Sequence, residues 1–116
     1  VSAPFHCSLM QPAADAMAQA LATATIDAPS LPVVANVLAT SYADPSQTAD
    51  LLVRQVTGRV RWRESVEWMA GQGVTELVEL GAGAVLGGLT KRIVSDVTAQ
   101  SVGTADGLKG FAESLR

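Results

Sequence analysis

The sequence predicts an α/β fold, about three parallel strands with flanking helices, in a single domain spanning residues 1–116. Three observations carry this. Short β-branched or apolar runs stand at 33–37, 75–80 and 99–102, apolar residues at helical spacing fill the stretches around them, and Gly or Pro marks the boundaries. Strands separated by helices at this spacing pair in parallel through crossover connections. A three-stranded parallel sheet needs cover on both faces and leaves its edges open. The pattern is therefore expected to be the later part of a larger doubly wound sheet that further chain would complete.

From residue 8 to 24, Met10, Ala13, Ala14, Met17 and Leu21 recur at helical spacing with almost no β-branching, Pro12 is tolerable in a first turn, and Ser8 is placed to cap. Pro29 and Pro32 end that helix and bracket the V-V-A-N-V run at 33–37, whose β-branching suits a buried strand. Residues 39–47, with Pro45 and Ser46, are expected to loop. A helix over 47–57 carries Leu51, Leu52 and Val56 on one side and ends at Gly58. Another over 61–70 places Trp62, Val66, Met69 and Ala70 opposite Arg63, Glu64 and Glu67. The T-E-L-V-E-L run at 75–80 reads as a strand, G-A-G at 81–83 as a tight turn, and 84–94 as a helix with Lys91 and Arg92 at its negative end. A short strand at 99–102 and a helix over 104–115 complete the pattern.

Composition narrows the function. A formal net charge of −3 supplies no basic footprint for nucleic acid. One cysteine, Cys7, and one histidine, His6, exclude a disulfide framework and the usual zinc patterns, so a reducing cytoplasm is expected and no metal or other cofactor. No apolar run approaches the roughly 18 residues that cross a bilayer, and no leader pattern opens the chain, so no membrane partner is expected. The chain starts at Val1 rather than Met, which predicts that it is part of a longer protein.

His6 stands just before a helix, where an imidazole can serve as general base or simply make one structural hydrogen bond; position alone does not decide. Cys7 and Ser8 adjoin it, but catalytic pairs are brought together from separate segments, so Cys7 reads as a small buried side chain and Ser8 as a cap. The E-L-G-A-G-A-V-L-G stretch from Glu79 can present amide groups to an anion, as in S-adenosylmethionine methyltransferases, or be a strand-to-helix turn that needs glycine. The methyltransferase reading around Gly81 and Gly83 expects a carboxylate ending the next strand, where Gly103 stands instead. Trp62 is expected in the core and Trp68 partly exposed. Arg59, Arg61 and Arg63 form a solvated face or an anion contact for a phosphate-bearing partner.

Four motifs occur in order: V-S-A-P-F-H-C-S-L-M-Q-P-A-A-D, P-V-V-A-N-V, L-V-R-Q-V-T-G-R-V-R-W-R-E-S-V and V-E-L-G-A-G-A-V-L-G-G-L-T-K-R-I. Over essentially its whole length the chain resembles the C-terminal portion of malonyl-CoA:acyl carrier protein transacylases of fatty acid synthesis. The resemblance implies part of an α/β-hydrolase-like large subdomain, and ping-pong transfer of malonyl from malonyl-CoA to the phosphopantetheine thiol of acyl carrier protein through a malonyl-serine ester. It implies His6 as the catalytic base, Gln55 as the residue whose main-chain carbonyl orients the imidazole, and Phe5 as a malonyl-selecting wall of the acyl pocket. The family's G-H-S-x-G nucleophile motif does not occur in this sequence. The serine, the malonyl-binding arginine and the oxyanion donors are thus expected in an N-terminal part, a partner without which the chain is expected to be inactive.

Overall fold

A computed structural model describes residues 3–116, which divide into two compact units, one up to Ser65 and one from Val66 to Arg116. In the first, a 3-10 turn at Ser8–Met10 leads into α1 (Gln11–Ala22), which packs against α2 (Thr48–Thr57). Ala14 of α1 and Leu51 of α2 are both buried. Small alanines on α1 let the neighbouring helix approach closely. Ser8 does not cap: it opens the 3-10 turn, and the residue before α1 is Met10, without a side-chain bond. Pro12 in the first turn has no N–H, which leaves one donor fewer to cap.

The expected strand at 33–37 is not part of a parallel sheet. β1 (Val34–Ala35) pairs antiparallel with β2 (Thr40–Ser41), Val34 opposite Ser41 and Ala35 opposite Thr40. The chain reverses at once because the amides of Leu38 and Ala39 both donate to the Ala35 carbonyl, at 3.0 and 2.8 Å, with buried Ala39 at φ 60. The expected loop at 39–47 thus holds β2 and a 3-10 turn at Pro45–Gln47, where Asp44 Oδ1 accepts from the Ser46 amide at 2.9 Å.

α3 (Trp62–Gly71) starts in the first unit and ends in the second. Ser65, buried on it, donates to Asn36 Oδ1 at 3.1 Å and so ties the helix start to the β1–β2 turn. Trp62, expected in the core, is only half-buried, as is Trp68; Trp62 Nε1 is buried without a hydrogen-bond partner.

The second unit is a β–α–β–α run: β3 (Glu76–Leu80), α4 (Val85–Ile93), β4 (Thr98–Val102) and α5 (Ala105–Ser114). β3 and β4 are parallel, in register from Glu76 opposite Thr98 to Leu80 opposite Val102. The parallel sheet thus has two strands among the described residues, not three, because the third candidate is spent on the hairpin. Gly81 (φ 133) and Gly83 (φ 92) make the tight turn into α4 in a region that disfavours side chains. Thr104 caps α5 by accepting from the Gly107 amide at 3.0 Å.

Candidate active site

The segment before α1 is drawn into a tight shape by local bonds. The Phe5 amide donates to Ala3 O at 2.9 Å, and Cys7 Sγ donates to Pro4 O at 3.1 Å. Between them His6 adopts φ 56, a left-handed conformation that costs a non-glycine residue about 1–3 kcal/mol and persists only where surrounding structure enforces it. From outside the segment the ring is held by α2: His6 Nδ1 lies 2.8 Å from the main-chain carbonyl oxygen of Gln55. A carbonyl only accepts, so the neutral ring in this contact carries its proton on Nδ1 and keeps a lone pair on Nε2.

Gln55 can offer that carbonyl because of its place in α2. The last four carbonyls of a helix have no amide four residues on, and Gln55 is in the final turn of a helix that ends at Thr57. The carbonyl also belongs to the negative end of the helix dipole. The Gln55 side chain runs the other way: Nε2 donates to Gly58 O at 3.1 Å and Arg59 O at 3.4 Å.

The structure thus brings together His6 and Gln55, which are 49 residues apart in sequence. Phe5 stands beside His6 in the chain with its side chain exposed, 57% of the residue being open to solvent. Cys7 is half-buried, so it packs less deeply than expected, and its thiol donates to the Pro4 carbonyl. No group of three or more His, Cys, Asp or Glu among the described residues could hold a metal ion, and none of their helices is long and apolar enough to cross a membrane.

The glycine turn is already provided with an anion. Glu79 on β3 accepts from the amides of Leu86 (3.2 Å) and Gly87 (3.0 Å) at the start of α4, and from Ser101 Oγ on β4 (2.9 Å). These bonds, the Gly87 amide foremost, hold its carboxyl below the usual glutamate range. A nucleotide phosphate or carboxylate directed to those amides would meet a carboxylate in residence. The arginine cluster is similarly occupied: Arg59 Nη2 (3.0 Å) and Arg61 Nε (3.2 Å) both donate to Glu64 Oε1, and Arg61 Nη1 donates to Leu38 O at 3.0 Å. The Arg61 hydrogen bond is the main reason the Glu64 carboxyl is lowered. Neither carboxylate stands out in the sequence; Glu79 is signalled only by lying on a strand two residues before G-A-G.

The chain is 51% identical over 102 residues to the malonyl CoA-acyl carrier protein transacylase of Salmonella typhimurium, which covers 88% of this chain and 33% of that relative. The crystal structure of an acyl-carrier-protein-S-malonyltransferase from Bartonella henselae matches 99% of the chain and 37% of its own, with a TM-score of 0.90 and 51% identity. The chain is homologous to malonyl CoA-acyl carrier protein transacylases. It spans about a third of the length of the curated transacylases it matches. A further similar structure, a type II PKS acyl-carrier protein in complex with its malonyl-transacylase, shares 43% identity over 98% of this chain and 37% of that one, with a TM-score of 0.87. No family model matches the chain. The transacylase homology leaves the methyltransferase reading without support.

Proposed function

We propose that this chain supplies the base side of an acyl-transfer site, as the C-terminal portion of a malonyl-CoA:acyl carrier protein transacylase within its α/β-hydrolase-like large subdomain. The observation that carries the reading is the 2.8 Å contact between His6 Nδ1 and the Gln55 carbonyl, which leaves Nε2 as the proton acceptor. In this reading Nε2 takes the proton of a serine hydroxyl contributed by the remainder of the enzyme as the serine oxygen attacks the thioester carbon of malonyl-CoA. The imidazolium then protonates the departing CoA thiolate, leaving a malonyl-serine ester. Acyl carrier protein reverses the steps: its phosphopantetheine thiol gives a proton to Nε2 and attacks the ester carbonyl, the serine oxygen departs and takes that proton back from the imidazolium, and the carrier leaves with malonyl. The Gln55 carbonyl at the helix end does what an aspartate does in the usual triad, holding the tautomer and stabilising the imidazolium. Phe5, the neighbour of His6 in the chain, is read as the wall that narrows the acyl pocket against an added methyl group, a filter worth about 1–3 kcal/mol. The reaction needs no metal or redox cofactor, and the cytoplasm is its expected setting.

The test is a chimera in which this chain replaces the segment it matches in the Salmonella relative. The chimera is expected to transfer malonyl, and His6→Ala to lower its rate by about 10²- to 10⁴-fold, the range of a lost general base. The 116-residue chain by itself is expected to show no turnover. A folded His6→Ala chimera with undiminished rate, or turnover by the chain alone, would refute the assignment.

A further inference from the structure

The Gln55 carbonyl belongs to a helix end, the part of a helix most prone to fray. Two groups hold that end in place. Gln55 Nε2 donates to the carbonyls of Gly58 and Arg59, fastening the connection at 58–61 to the last turn of α2. Glu64 Oε1 accepts from Arg59 and Arg61 and fastens the same connection to the first turn of α3, while Arg61 reaches on to the Leu38 carbonyl in the β1–β2 turn.

We infer that the Gln55 side chain is a positioning group: with the Glu64 clip it fixes the 58–61 connection and thereby holds the residue's own carbonyl on His6 Nδ1. The significance of this for acyl transfer rests on the function proposed above. A contact made only through the main chain would place no demand on the side chain at position 55. The amide makes the demand, because its two N–H donors meet two carbonyl oxygens that a carboxylate would repel and an apolar side chain would release from α2, the part-buried Gly58 oxygen losing its donor.

The test reads the tautomer of His6 by nitrogen NMR of the isotopically labelled chain assembled with the unlabelled complementary two thirds of the Salmonella relative, at a pH where the ring is neutral. The unsubstituted chain is expected to carry the proton on Nδ1. Gln55→Met is expected to move population to the Nε2–H form that a free imidazole favours in water, with the backbone amide spectrum unchanged outside 55–61 and the segment around His6. Glu64→Gln is expected to shift it the same way to a smaller extent. A folded Gln55→Met chain that keeps the Nδ1–H form in full would overturn the inference; should that variant not fold, an unmoved tautomer in Glu64→Gln would do so. Turnover plays no part in this readout, so failure of the acyl-transfer reading is seen separately. In the active chimera, Gln55→Met should lower kcat roughly tenfold, the rate equivalent of one lost hydrogen bond, with KM unchanged.

Discussion

At Gly58 the lack of a side chain is a packing requirement. Its backbone is ordinary, with φ −92, yet a Cβ there would lie 2.7 Å from the Arg54 carbonyl oxygen and 3.1 Å from Val37 Cγ2. Gly58→Ala must therefore push the end of α2 away from the β1–β2 turn, at an overpacking cost of about 1–3 kcal/mol. Urea unfolding is expected to show this as a lower midpoint with unchanged slope, and an unchanged midpoint would mean that the helix end yields freely. The sequence marks Gly58 as a helix stop but gives no hint of the crowding, which depends on a hairpin that periodicity does not reveal. The same holds for His6 and Gln55. Nothing in their spacing links residues 49 apart; resemblance named both, and only the fold showed that a helix end presents the carbonyl. The left-handed conformations of His6 and Ala39 carry no glycine signal, so neither turn could be read from composition.

The helices and the parallel β3–β4 pair were the readable elements. Each of the five α-helices expected from 3.6-residue periodicity is found among the described residues, with ends displaced by three residues or fewer, because an amphipathic face is a property of the segment itself. Strand partners are set by distant chain, which is why β-branching at 33–37 suggested a buried parallel strand where a two-residue hairpin arm stands. The Glu79 clamp shows how an element is held after it forms. Its carboxylate joins the start of α4 to both parallel strands and has its pKa lowered from the ordinary 4.5, chiefly by the Gly87 amide. A carboxyl with a depressed folded-state pKa stabilises the fold at pH values above its unfolded pKa, and that contribution is lost as pH falls through the folded value. Glu79→Gln should thus lower Tm at pH 7, with the gap to the unsubstituted chain closing as pH drops below the ordinary glutamate value. Thermal unfolding followed across this range checks the claim; a gap independent of pH would assign the loss to shape rather than to charge.

Across the whole chain, the described residues bury few apolar side chains: Ala14, Ala39 and Leu51 in the first unit, Val66 and Val97 in the second. Leu9, Leu31, Leu80, Val85 and Leu115 are between 66% and 75% exposed. Among the described residues β3 and β4 each have one unpaired edge, although parallel strands are ordinarily enclosed by further strands and by helices on both faces. The sequence carries the reason in its apolar fraction of 48%, ample for a core larger than the one these residues enclose. Exposed apolar side chains of this kind associate with other apolar surface, and open strand edges pair with other strands. The chain alone is therefore expected to bind a solvatochromic apolar dye and to sediment as a concentration-dependent mixture of species. Adding the complementary two thirds of a transacylase should suppress both effects, since that polypeptide would cover the same leucines and strand edges. A chain that stays monomeric at high concentration and leaves the dye dark would show that these faces need no cover, and would count against its being one part of a larger acyltransferase.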